Sequence, residues 1–238
     1  MRERHASQRA AETPKWLALA AVCLLSVVSG QSASAANPKV ISDLHKEWDD
    51  AEGLRFQPLG AWRLMRGSNT AEPGDFVEMD RYEKGVSQNP DVSIWSYGES
   101  IFNQPSFIRD KSRADGLITI HTDKDLEGNE EKGAAIIEWT SPVAKRVTLS
   151  LTLQNLGTDV KDGDGVTVHV LKQDGTSGSS FSEIETIVVP SANARAEAQT
   201  TDIAIDVEDG QRILLKIDPN GDGWGDNLGI AAKVSIPR

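Results

Sequence analysis

From residue 116 onward, hydrophobic and polar residues alternate with a period of two. Val147, Leu149, Leu151 and Leu153 are separated by Thr148, Ser150, Thr152 and Gln154. That spacing puts one set on a buried strand face and the other in water. Val166, Val168 and Val170 stand in the same relation to Thr167, His169 and Leu171. The segments "GLITIH", "AAIIEW", "RVTLSLTLQ", "GVTVHVLK", "ETIVVP", "DIAIDV", "QRILLKI" and "LGIAAKVSI" are rich in β-branched residues. Turn-forming stretches such as "KDGDG", "QDGTSG", "EDG" and "DPNGDGWGD" separate most of them. Eight strands with short connections and no helical period between them predict an all-β fold, an antiparallel β-sandwich of two packed sheets.

The upstream chain reads differently. In "VISDLHKEWDDAEG", Ile41, Leu44, His45 and Trp48 follow the spacing of one helical face, with acids and Lys46 opposite. This predicts a short N-terminal helix ending at Gly53. Helical periodicity is absent from 54 to 115, where Pro58, Pro73, Pro90 and Pro105 are scattered, and "FQPLGAWRLM" and "DVSIWSYG" are short candidate strands. That stretch is expected to add one or two edge strands and long loops to the same body. No internal repeat recurs at a fixed period. The expected division is a signal peptide over 1–35, a helix and irregular segment over 36–75, and the sandwich domain over 76–238.

The leader is expected from its own chemistry. Arg2, Arg4, Arg9 and Lys15 precede the apolar run "LALAAVCLLSVVSG", and Ala33 and Ala35 occupy the small-residue positions of a cleavage site. The apolar core is too short for a stable membrane span, and a short N-terminal anchor is the alternative. The expected address is export to the periplasm or extracellular space. Cleavage would remove Cys23, the one cysteine, and with it disulfides, thiolate metal sites and cysteine nucleophiles. It would also remove a segment of net charge +2, taking the chain from -11 to -13. Such a field repels polyanions and argues against nucleic-acid binding.

Against this background, "IDPNGDGWGDNLG" (217–229) is the stretch richest in candidate chemistry. Asp218, Asn220, Asp222, Gly223, Trp224 and Asp226 occupy positions 1, 3, 5, 6, 7 and 9 of an EF-hand-like calcium loop. Position 12 would be Gly229 rather than glutamate, and the flanks read as strands, so an EF-hand is excluded. Two readings stand side by side. One is a polar hairpin loop in which Asp and Asn bond their own backbone. The other is a calcium site with Asp218, Asn220, Asp222 and Asp226 as ligands, completed by Asp162 and Asp164 or by an N-terminal acid.

The stretches "NPDVSIWSYG" (89–98), "AAIIEWTSP" (134–142), "GDGVTVHVLKQDG" (163–175) and "IDPNGDGWGDNLGI" (217–230) occur in that order. Together the chain resembles jelly-roll, galactose-binding-like (carbohydrate-binding-module-like) β-sandwiches of exported bacterial proteins, over roughly residues 75 to 238. The resemblance implies a jelly-roll in which the strand after "EW…SP" packs in the core and the Asp-containing loop leads into the last strand. It implies sugar binding in many relatives and a structural calcium in some. The low aromatic content departs from the better-defined sugar-binding families.

Sugars are held by aromatic faces and by hydrogen bonds to their hydroxyls. Trp224, in a polar glycine-rich loop, is the best candidate for a ligand-facing ring, with Asn227 beside it. Trp95 and Tyr97 share a strand face and form either a core wedge or a stacking platform. Trp139 and Trp48 read as core and as the helix's docking residue. His45, His121 and His169 fall in no recognisable catalytic spacing. Glu83, Glu99 and Glu138 could supply the paired carboxylates of a glycosidase, although Glu138 reads as a solvated strand position. Three functions follow: a non-catalytic module binding carbohydrate or cell-surface glycan, a structural or interaction protein of the envelope, and a sandwich hydrolase or lyase.

Overall fold

The computed structural model describes residues 37–51, 57–67, 72–100, 105–122, 133–157, 165–191, 197–220 and 227–237, all within one compact unit of residues 36–238. The expected leader and Gly53 lie outside the described residues. The chain forms β1 (Lys39–Asp43), α1 (Leu44–Asp50), β2 (Trp62–Gly67), β3 (Val77–Glu78), β4 (Arg81–Lys84), β5 (Val92–Ser96), β6 (Ser106–Asp110) and β7 (Ile118–His121). It continues through β8 (Ala134–Thr140), β9 (Lys145–Asn155), β10 (Val166–Gln173), β11 (Phe181–Val189), β12 (Gln199–Val207), β13 (Arg212–Asp218) and β14 (Asn227–Ile236). The eight alternating segments are β7 to β14.

The strands form two antiparallel sheets. Sheet one runs β12-β9-β14-β7-β6-β5-β4, with β1 also beside β14, and sheet two runs β11-β10-β13-β8-β2-β3. From β7 onward most connections cross from one sheet to the other, as a jelly-roll requires. Val147, Leu149, Leu151 and Leu153 of β9 are buried, and Thr148, Ser150, Thr152 and Gln154 are half-exposed. They meet Val166, Val168 and Val170 of β10 and Ile213, Leu215 and Ile217 of β13 in one core.

Three expectations are corrected. Ile41 is not helical: it lies in β1, which pairs with the end of β14, and the helix starts at Leu44. The start is set by Asp43, whose carboxylate accepts the amides of His45 and Lys46 at 3.1 and 3.3 Å. Glu47, expected on the wet side, instead accepts the Asp43 amide at 3.1 Å and the Ala61 amide at 2.6 Å. Gly60 permits this approach, because a Cβ there would fall 1.9 Å from the Glu47 carboxylate and the backbone sits at φ +62. Second, the stretch from 54 to 115 supplies β2 to β6, and β2, β5 and β6 are interior rather than edge strands.

Third, sheet two carries apolar residues on both faces. Met65, Ala134, Ile136 and Leu214 form a second buried cluster on its outer side, under Phe76, Leu171 and Phe181. The runs "AAIIEW" and "RILLKI" do not alternate because they are buried on both sides. At the other side of the molecule, α1 plugs the sandwich. Leu44 and Trp48 enter the main core, and the Trp48 indole donates to Ser93 Oγ at 3.0 Å.

Candidate functional site

Strand polarity gathers five of the longer connections at one end. Asn227 lies opposite His121, Leu228 opposite Asn155, Thr167 opposite Asp218 and Val166 opposite Val189. Connections 97–105, 122–133, 156–165, 190–198 and 219–226 therefore all leave from the same end of the sandwich. The opposite end has the turns at 141–144 and 208–211 and the connection 51–61 into β2. In the sequence the five longer connections include the acid-rich stretches "DKDLEGNEEK" (123–132), "KDGDG" (161–165) and "PNGDGWGD" (219–226).

Around the loop singled out by sequence, the described residues are tightly tied. Asp218 closes β13, and its Oδ1 accepts the Asn220 amide at 2.9 Å, an Asx turn. Asn220 adopts φ +62, a left-handed conformation that asparagine tolerates. Its Oδ1 accepts the Thr167 hydroxyl at 2.6 Å, stapling the loop to the start of β10. Gly165 is required just before: at φ +88, a Cβ would meet the Val189 carbonyl oxygen at 2.5 Å. Asn227 opens β14, half-buried, with its carbonyl accepting the Leu156 amide at 2.6 Å. Asp162, Asp164, Asp222, Trp224 and Asp226 lie outside the described residues.

The metal expectation meets this geometry at two residues only. Asp218 and Asn220 each give one oxygen to the protein, as the polar-turn alternative requires. Among the described residues, no group of three or more His, Cys, Asp or Glu side chains is placed to hold a metal ion. The pairing of β10 with β13 sets the start of β10 beside the end of β13, with Thr167 opposite Asp218.

The aromatic candidates divide sharply. Trp95 is 1% exposed, packed against Tyr82 with ring centroids 5.1 Å apart, so it is a core wedge and offers no face to a ligand. Tyr97 is half-buried, and the Arg66 guanidinium covers one ring face at 3.5 Å from the centroid. Trp62 and Trp139 pair across β2 and β8 inside the core, and Trp48 is buried with the helix. An aromatic platform for sugar therefore has no tryptophan among the described residues.

Glu138 is not solvated. Its carboxylate is buried on the outer side of sheet two, 3.2 Å from Arg212 Nη1 and 3.9 Å from Arg63 Nη1. No alternation signal could show this, because the cover comes from Arg212 and Phe181, residues distant in sequence. His121 stands opposite Asn227, and burial pushes its imidazole below the ordinary value. His45 is likewise lowered, by burial and then by the Arg109 guanidinium beneath the helix. No helix among the described residues is long and apolar enough to cross a membrane. A cleft of about 530 Å³ opens away from the loop end, between β11 and β12.

No family model and no curated protein matches the chain. Among solved structures, the K3 cleaved adhesin domain of Lys-gingipain from Porphyromonas gingivalis W83 is similar at 10% identity, covering 50% of this chain and 72% of that one, with a TM-score of 0.37. A mutant of a family 29 carbohydrate-binding module is similar at 19% identity, over 65% of this chain and 90% of that one, with a TM-score of 0.35. The C-terminal CBM6 of LamC, a laminarinase from Zobellia galactanivorans, is similar at 9% identity, over 74% and 99%, with a TM-score of 0.33. These likenesses are weak, and the two antiparallel sheets themselves define this chain as a β-sandwich.

Proposed function

We propose that this protein is an exported, non-catalytic module that binds carbohydrate or cell-surface glycan at its long-connection end. The observation that carries the reading is the junction of β10 with β13. There Thr167 faces Asp218 and bonds Asn220, so two Asp- and Gly-rich connections leave the body side by side. Carboxylates and amides there would bond sugar hydroxyls. Trp224 would supply the stacking face, since the other candidate rings are committed to the core or half-covered. Calcium, if bound, would take oxygens from Asp218, Asp222 and Asp226 with Asp162 or Asp164. Its chemistry would be to neutralise that acidic end and hold the two connections together.

A glycan array run with calcium and with chelator tests this reading. Retention of a polysaccharide is expected, lost in Trp224→Ala and weakened by chelator. A site filled to a hundred times its dissociation constant would raise unfolding stability by about 2.7 kcal/mol, and Asp222→Ala should remove that response. Retention unchanged in Trp224→Ala would refute the stacking role, and a chelator-insensitive melt would refute the ion. Reducing-sugar release from the retained polysaccharide would replace the module by a hydrolase.

A further inference from the structure

The cleft between β11 and β12 belongs to neither the loop end nor the buried cores. β11 is the last strand of sheet two and β12 the last of sheet one, and both lie on the same side of the sandwich. β12 pairs with β9 alone, so among the described residues its other edge has no strand partner. At the start of β12, the Gln199 side chain donates to the Val188 carbonyl of β11 at 3.3 Å. Open strand edges are normally hidden, because their unpaired amides and carbonyls recruit other strands. Here the edge is left beside an apolar floor: Ile184 is 37% exposed, and Ile203 is half-buried.

We infer that this cleft takes an extended segment of a partner protein, with basic and apolar residues alternating, which adds to β12 as a further strand. The alternation of β12 dictates the pattern. Ile203 and Ile205 point to the core side, whereas Asp202 and Asp206 face water. A strand laid alongside would repeat that alternation, with every second side chain entering the cleft against Ile184 and Ile203. The intervening side chains would stand beside Asp202 and Asp206 on the outer face.

Charge selects among occupants. Glu185, Asp202 and Asp206 line the cleft with Lys172, and Arg146 of β9 stands 3.8 Å from Asp206, so the balance of these five charges is -1, on a chain of net -11. Two copies joined through β12 would bring the same acids together on one face, which opposes self-pairing. No aromatic ring lines the cleft, so it lacks the stacking surface a glycan would use. A basic strand meets both the charge and the apolar floor.

The test is a capped heptapeptide of alternating lysine and valine, titrated into ¹⁵N-labelled protein. Saturable amide shifts are expected over Thr201–Asp206 and at Ile184 and Glu185. The variant Asp202→Lys, which leaves the Asp206–Arg146 pair intact and gives up only the exposed Ser150 hydroxyl bond, should melt close to the parent and bind at least about tenfold more weakly. A peptide with N-methylated valines, unable to donate to β12, should not bind. Shifts confined to the long-connection end, affinity unchanged by charge reversal, equal binding of the methylated peptide, no binding, or a peptide-free dimer on ultracentrifugation would each overturn the inference. Loss of glycan retention on the array would leave it untouched.

Discussion

Glu138 lies in β8 between Ile137 and Trp139, both core residues, yet its own side chain points to the opposite face of sheet two. There Arg212 reaches it from β13 and also donates to the Gly178 carbonyl at 3.0 Å, while its guanidinium stands over Phe181 at 5.1 Å. A carboxylate so enclosed depends on its partner, because the charge has lost its water. Arg212→Ala should cost about 3 kcal/mol, the low end for a broken buried pair since the Arg212 side chain is 31% exposed. The double change Glu138→Leu with Arg212→Met should recover most of that loss, because no charge is left buried. Urea denaturation decides it. If Arg212→Ala were neutral, or if the double variant were no better than the single one, the ion pair would not hold the outer cluster together.

At the scale of the element, α1 shows why a helical pattern misjudges its own start. The spacing of Ile41 with Leu44, His45 and Trp48 fits one face, but Asp43 ends the strand pairing with β14 and caps the helix within that run. Inside the plug, His45 sits among Asp43, Asp49, Arg109 and Lys233, and its imidazole is lowered by burial and then by Arg109. The unfolded chain therefore binds a proton at higher pH than the folded one. Stability is full above the ordinary imidazole value of 6.5, declines as the pH falls through it, and levels off once the folded imidazole also titrates. His121 adds to the same trend, being lowered by burial. Urea midpoints should fall between pH 7.5 and pH 5, and His45→Gln should make that slope shallower. A flat profile, or an unaltered slope in the variant, would show that the plug tolerates a charged imidazole.

At the scale of the molecule, β9 and β10 are legible because each has one face in a core and the other half-exposed, which is written into every second residue, whereas β8 and β13 are legible as short β-branched runs between turn residues. The strands β4 and β6 were hidden by brevity and composition, since "RYEK" and "SFIRD" carry charge where alternation would be read. The second cluster was hidden because Ile136 and Leu214 break alternation only when both faces of sheet two are covered. For the site, sequence marked the residues of the 217–229 stretch but not the hydroxyl of Thr167 or the glycine at 165. Those depend on which strands become neighbours. Trp95 was undecidable by spacing, since a core wedge and a platform share the same i, i+2 pattern.

The proposed ligand chemistry resides at the end of the sandwich from which β9 and β13 leave and at which β10 and β14 begin. Amide shift mapping with the array-retained polysaccharide tests it most directly. Perturbations are expected at Gly165, Thr167, Asn220 and Asn227, with the edge residues Thr201–Asp206 silent. Shifts centred on that edge or on the α1 plug, with those four amides unmoved, would contradict it.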